Sequence, residues 1–328
     1  MADLKRSEPG VRLRCPMLVL DLDHRSYGDG KDCVVLTLGN ATGRIPSAPF
    51  WSERRAMVAG LSLGAPVEVC GEIRRYRGRR QLDVLTIQPV SPDAVDWHTL
   101  LPSVKDVELY WKLVDGWRSA IRAPRLRDVV SLFYDDADFR HRYGACPAST
   151  TGHHAELGGL LRHTCEVASI GRSIAAACGA DRELVIAGAL LHDIGKLEAY
   201  VWDRGFTLTE PGALLGHVTL GMLMLARRTA GYGPLLERES WILQHLIASH
   251  HGRLEFGAAV PPMTLEAEVL HYADNASAKA TSMADALEEA DNFQGDEPLS
   301  ARGIWQLDRR KAYRGRSHWG MEERGSPK

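Results

Sequence analysis

The chain has no CxxC pair, no long apolar run, no internal repeat and no low-complexity tract. Its six cysteines, at 15, 33, 70, 146, 165 and 178, are too scattered for a redox pair or a soft-metal cluster. In 328 residues with no secretory leader in view, they read as reduced, mostly buried thiols. The longest apolar or small stretch, Leu184 to Leu191, is far short of the ~20 residues that cross a bilayer. The opening MADLKRSEPG is charged and lacks an apolar h-region, so no secretory signal is expected. These absences set aside membrane proteins and disulfide scaffolds. The expectation is a cytoplasmic protein without a membrane partner.

What is present is an ordinary globular composition, 45% hydrophobic and 25% charged with a net charge of −2. The length allows two domains with separate cores. Charge is uneven: residues 1–95 hold 14 Lys/Arg against 11 Asp/Glu, and the remainder 26 against 31. The local excess is the run Arg74, Arg75, Tyr76, Arg77, Gly78, Arg79, Arg80. It reads equally as a solvated hairpin tip or, since an aromatic is interleaved with cations, as a surface that tracks phosphates and stacks bases.

Residues 11–90 pattern as short strands. Leu13–Asp23 and Cys33–Leu38 are rich in aliphatic and β-branched residues, with turn chemistry between them at Tyr27–Gly30. A third strand follows from Arg44, a short helix is expected over Trp51–Leu61, and Pro66–Arg74 pairs with Gln81–Gln88 around Arg77-Gly78. Five strands with a helix between the third and fourth predict an all-β OB-fold barrel over 11–92, a nucleic-acid-binding architecture. Pro89, Pro92 and Pro102 mark a break. Beyond it the pattern is helical: a connector over 93–150, with amphipathic stretches at Val107–Ile121 and Leu126–Phe139, then a helical domain over 151–290. The segment 291–328 is a basic tail, either a helix packed on the body or a disordered arm.

The chemistry lies in histidines and aspartates set along these helices: His163, His192-Asp193, His217, His250-His251 and Asp274. His192-Asp193 ends a helix that Gly195 is expected to stop as a C-terminal glycine. A carboxylate there is costly to bury unless a cation meets it. Imidazoles and carboxylates suit Mn, Fe, Co, Ni or Zn. A shared Asp between two metals would activate water and hold a phosphate in one place, so the series predicts a metal-dependent phosphohydrolase.

The order H…HD…H…HH…D resembles the HD-domain superfamily of metal phosphohydrolases, and more narrowly the YhaM-type 3′→5′ exoribonucleases, which join an OB-fold to an HD domain. The matching stretches are GRIPSAPFW, RRYRGRRQLDV, HHAELGGLLRHT, GALLHDIGK, EPGALLGHVTLG, ASHHGRLEFG, PPMTLEAEVLHYADN and IWQLDRRKAY, which span most of 12–314 in order. The resemblance implies an all-α HD bundle in which His163, His192, Asp193 and Asp274 hold one metal. Asp193 bridges to a second site completed by His217 and His250, with His251 nearby. Two divalent ions are implied, Mn²⁺ first and Fe, Co, Ni or Zn as alternatives. Asp193 and Lys196 are the expected catalytic residues, Lys196 reaching a phosphate or the leaving group unless it is a surface lysine. His153 and His154 contact substrate, join the metals or pack. Two departures, Ala199–Trp202 after Glu198 and Ser277 where the family has Asp, are expected to touch no ligand and to bear on substrate preference.

The resemblance implies hydrolysis of single-stranded RNA, or also single-stranded DNA, to nucleoside 5′-monophosphates, with Arg74, Arg75, Tyr76, Arg77, Arg79 and Arg80 guiding the strand and homo-oligomers as one state. The alternatives are a nucleotide or cyclic-nucleotide phosphodiesterase and a non-catalytic nucleic-acid-binding protein. The former fits poorly: GYGP at 231–234 precedes His250-His251, and position 159, one turn before His163, is Gly instead of an acidic third-metal ligand. The latter is disfavoured because no ligand position is lost.

Overall fold

The computed structural model describes residues 2–27 and 31–315. Gly28 to Gly30 of the expected turn, and residues 316–328 of the tail, lie outside the described residues.

Alternating apolar residues build the first unit, since successive side chains in a strand point to opposite faces. Strands β1 (Arg12–Ser26), β2 (Asp32–Asn40), β3 (Gly43–Pro46), β4 (Pro66–Tyr76) and β5 (Arg79–Pro89) form one antiparallel sheet in the order β3-β2-β1-β4-β5. Leu13, Met17, Leu36, Val69, Ile73, Leu82 and Val84 share its core with Phe50. The helix expected over Trp51–Leu61 is only a 3-10 turn, Ser52–Met57. Just past β3, Ser47 bridges Leu82 of β5 in parallel, and the Ala48 N–H donates to the Leu82 carbonyl at 2.8 Å.

The β4–β5 hairpin is tighter than expected. Tyr76 pairs with Arg79 across Arg77-Gly78, both at positive φ (49° and 80°), as a two-residue hairpin turn requires. Most of the basic run therefore lies on the ladder, where the two-residue period turns Arg80 inward. Arg80 is 2% exposed.

Among the described residues ten helices follow: α1 (Trp97–Leu100), α2 (Val107–Ala120), α3 (Pro124–Tyr134), α4 (Ala137–Ala145), α5 (Gly159–Cys178), α6 (Arg182–Leu191), α7 (Lys196–Ala199), α8 (Glu210–Thr229), α9 (Glu237–Ser249) and α10 (Leu265–Glu288). A two-stranded ribbon, Tyr200–Val201 with Thr207–Leu208, is inserted after α7. The amphipathic stretch expected over Leu126–Phe139 is two helices, because Asp136 accepts from the N–H groups of Asp138 and Phe139 and starts α4 afresh. Trp111, Val130, Phe133, Tyr134 and Tyr143 from α2–α4 share one core with Leu160, Leu190, Leu246 and Leu270. The segment read as a connector is thus packed into the helical body.

The described tail is neither one packed helix nor a loose arm, and holds 3-10 turns at Ala290–Asn292 and Trp305–Leu307. Phe293, Ile304, Leu307 and Ala312 are buried against Ala286, Met283 and Leu287 of α10. The sheet and the helices meet at Leu18, Leu100 and Leu101, and at Arg80, which reaches Asp291 and Glu289 just beyond α10. Among the described residues no helix is long and apolar enough to cross a membrane.

Candidate metal centre

Helix ends deliver most of the histidines and aspartates. His192 is the C-terminal cap of α6, Asp193 follows it, and Lys196 opens α7. Gly216 breaks α8 at φ 72°, so its second half begins at His217. His250 caps α9, and His251 is followed by Gly252 at φ 77°, which turns the chain away. His163 and Asp274 come from within α5 and α10. Gly195 departs from the expected helix stop: its φ is −66°, in the right-handed region. A Cβ there would stand 2.0 Å from the His217 carbonyl oxygen and 2.3 Å from the Gly221 nitrogen, so glycine is needed for α8 to approach.

These residues converge in two groups whose ligating atoms lie within 4.8 Å of one another: His163, His192 and Asp274, and His217, His250 and His251. Asp193 stands between them. Its Oδ2 is 3.1 Å from His192 Nε2 and 3.6 Å from His163 Nε2; its Oδ1 is 3.4 Å from His217 Nε2 and 3.7 Å from His250 Nε2. His163 Nε2 lies 3.0 Å from Asp274 Oδ1. The Lys196 ammonium donates to Asp193 Oδ2 at 2.6 Å. Lys196 is buried, so the reading as a surface lysine is overturned.

The donor set fits a cation. Among the described residues, Asp193 Oδ1 and His250 Nε2 are buried without a hydrogen-bond partner, a state that costs free energy unless an ion or water meets them. The ring protons are accounted for on the far side of the rings. His192 Nδ1 lies 2.8 Å from the Ala189 carbonyl and His250 Nδ1 2.7 Å from that of Ile247, so both donate there and present Nε2 lone pairs inward. Burial holds His217, His250 and His251 at about 3, hence neutral and able to ligate at physiological pH. Burial opposes the charge on Asp193, yet the Lys196 ammonium keeps its carboxyl well below the usual range.

His163 Nδ1 lies 3.0 Å from Ser277 Oγ, and that hydroxyl donates to Glu166 Oε2 at 2.7 Å. Ser277, expected to touch no candidate ligand, therefore does touch His163. His154 is buried behind the site, 2.9 Å from Glu166 and 3.2 Å from Thr281. The His153 ring lies 5.5 Å from that of His163, and burial lowers it to about 3. Gly159 leaves no room for an acidic side chain: its Cβ would meet the His154 carbonyl oxygen at 2.1 Å.

In the basic hairpin, Arg80 is removed from the strand-guiding set. Its guanidinium is spent on Asp291, Glu289 and the carbonyls of Leu4 and Ser7. Arg74 pairs with Asp83, Arg75 donates to the Gly78 carbonyl, and Arg77 lies over the exposed Tyr76 ring at 5.4 Å. Sequence reasoning missed Glu166, and it missed His271, whose Nδ1 sits 3.0 Å from the His250 carbonyl. A signal for Glu166 existed: three residues after His163, it shares that face of the helix.

Residues 160–279 match the HD domain family model. The 3′-5′ exoribonuclease YhaM of Bacillus subtilis (strain 168) is 32% identical over 79% of this chain and 82% of its own length. The enzyme of that name from Bacillus licheniformis is 32% identical over 94% and 96%, and that from Halalkalibacterium halodurans 30% over 94% and 95%. Among solved structures, the HD domain of the L. monocytogenes phosphodiesterase PgpH covers 47% of this chain and 80% of its own, at 19% identity and a TM-score of 0.31.

Proposed function

The chain belongs to the family of the YhaM 3′-5′ exoribonucleases, and on that premise we propose that it is a metal-dependent 3′→5′ exoribonuclease releasing nucleoside 5′-monophosphates from single-stranded RNA. The observation that carries this reading is Asp193, whose two oxygens each face a separate group of ligands while Oδ1 lacks a hydrogen-bond partner among the described residues.

Two divalent ions, Mn²⁺ first among the candidates, are assigned to the two groups, with His163, His192 and Asp274 on one side, His217, His250 and His251 on the other, and Asp193 shared. Bound there, the ions supply activation of water and neutralisation of the phosphodiester charge. The protein's own residues set the geometry for that chemistry. Ala189 and Ile247 fix the rings of His192 and His250 through their carbonyls. Lys196 holds one oxygen of Asp193 and keeps a positive charge beside the place where phosphate would sit. His153 is assigned to the substrate side, next to His163.

The sheet is read as an OB-fold barrel, supported by the parallel Ser47–Leu82 bridge from the end of β3 to β5, which draws the two edges together. We assign 11–92 to strand binding, 93–150 to the packed link and 151–290 to catalysis. Arg74, Arg75, Tyr76, Arg77 and Arg79 are the nucleic-acid contacts. Single-stranded DNA is a second substrate class, because a stacking surface accepts both unless a 2′-hydroxyl is read. A homo-oligomer would cover Trp241, Phe256 and Met263, which stand exposed.

The test is a 5′-labelled single-stranded RNA incubated with purified protein and Mn²⁺. A ladder shortening from the 3′ end, with nucleoside 5′-monophosphates released, is expected. An intact labelled strand, or cuts scattered internally, overturns the reading.

A further inference from the structure

We infer that Glu166, acting through Ser277, is a positioning residue that fixes the proton of His163 on Nδ1 and turns its Nε2 lone pair to the metal centre. The inference rests on reading His163 as a ligand.

Each ring proton needs an acceptor on the side of the ring away from the metal centre. His192 and His250 sit at helix C-termini, where carbonyls lack intrahelical partners, and each donates to the carbonyl three residues back. His163 lies inside α5, whose carbonyls are taken up by the helix, so its acceptor must come from another element. That acceptor is Ser277 Oγ, at 3.0 Å. A hydroxyl alone does not settle direction, because it donates as readily as it accepts. Glu166 settles it: an ionised carboxylate only accepts, and its Oε2 lies 2.7 Å from the same Oγ. The serine proton is committed to Glu166, leaving a serine lone pair for the Nδ1–H of His163.

The rest of the network keeps Glu166 charged and still. His154 Nε2 lies 2.9 Å from Oε2, and Arg162 Nε donates to Oε1 at 3.1 Å. Burial works against the charge, but these donors and Ser277 hold the carboxyl at about 2. His154 adopts a left-handed backbone (φ 51°), an uncommon conformation for a side-chain-bearing residue. Ser277 is 2% exposed, so water has no access to replace its hydroxyl. Glu166 follows His163 by three positions on α5, and Ser277 and Thr281 follow Asp274 by three and seven on α10, so each helix presents its part of the network on its ligand-bearing face.

The test is Co²⁺ titration, by visible absorption and calorimetry, of the full-length wild type, Ser277→Ala, Glu166→Gln and the hydroxyl-keeping Ser277→Thr. Loss of an outer-shell partner lowers metal affinity on the order of 10–100-fold. That loss is expected at one ion only in the first two variants, with the second ion unaffected and affinity recovered in Ser277→Thr. Unaltered Co²⁺ affinity in both variants overturns the proposal. Equal weakening of both ions with a lowered melting temperature overturns it too, since the network would then only hold the fold; failure of both variants to fold counts the same way. A wild type that binds no Co²⁺ sinks the metal-centre reading itself, which separates the two failures.

Discussion

Asp193→Asn tests the centre of the site, because Asn keeps the shape of the side chain and removes only its charge. The carboxylate is 1% exposed and 2.6 Å from the Lys196 ammonium, which is also buried. Removing one member of a buried pair leaves the other uncompensated, at a cost of about 3–5 kcal/mol. At roughly 2–4 °C per kcal/mol for a body of this size, the metal-free variant should melt about 10 °C lower. Lys196→Met in the Asn background should restore part of that, with a coupling on the order of 0.5–3 kcal/mol, because the stranded charge is then gone. Metal changes the comparison. A ligand at a hundred times its Kd stabilises the wild type by about 2.7 kcal/mol per site, whereas the Asn variant lacks the shared ligand and should gain little. Hydrolysis of a dinucleotide should fall by roughly 10²–10³-fold, the scale on which loss of a charge-stabilising group acts. Differential scanning fluorimetry with EDTA or Mn²⁺, alongside the hydrolysis assay, reads all of this. A variant that melts like the wild type and is stabilised equally by Mn²⁺ would refute the reasoning.

Replacing Arg74, Arg75, Arg77 and Arg79 with Ala should weaken binding of long single-stranded RNA and flatten its log–log salt dependence by ~0.7 for each phosphate no longer neutralised, with dinucleotide cleavage unchanged; an equal loss on both substrates argues against a guiding hairpin. Arg80→Ala should act differently, lowering stability by about 1–3 kcal/mol with no effect on the salt slope, because Asp291, Glu289 and the Leu4 and Ser7 carbonyls lose their donor; chemical denaturation together with the salt titration separates the two behaviours. Glu166 is held at about 2 against an ordinary 4.5, so its pairing stabilises the fold fully above the upper value and is lost as pH falls toward the lower one. The stability advantage of wild type over Glu166→Gln should therefore shrink by up to about 3 kcal/mol between pH 5 and pH 2, and urea melts that stay parallel across this window contradict the assignment.

The strands, their turn at Arg77-Gly78 and the His/Asp series were legible because each rests on local signals: two-residue alternation, turn glycine, and histidines and aspartates set along apolar helical patterns. What escaped depends on distant partners. Arg80 is indistinguishable in sequence from its neighbours, and only Asp291 and Glu289, some two hundred positions away, make it a buried clamp. Gly195 carried the outward sign of a helix stop, yet its cause is the backbone of α8 packing against it. Ser277 looked incidental because a serine is read as a ligand's partner only once Glu166 and His163 are seen beside it. The tail hid its order because its buried residues, Phe293, Ile304, Leu307 and Ala312, follow neither period and pack only on the far end of α10.

The most direct measurement is anomalous diffraction at the manganese edge from crystals of the full chain equilibrated with MnCl₂. Two peaks flanking the Asp193 carboxylate are expected, one against His163, His192 and Asp274 and the other against His217, His250 and His251. No peak at Asp193, or manganese bound only elsewhere, would contradict the account.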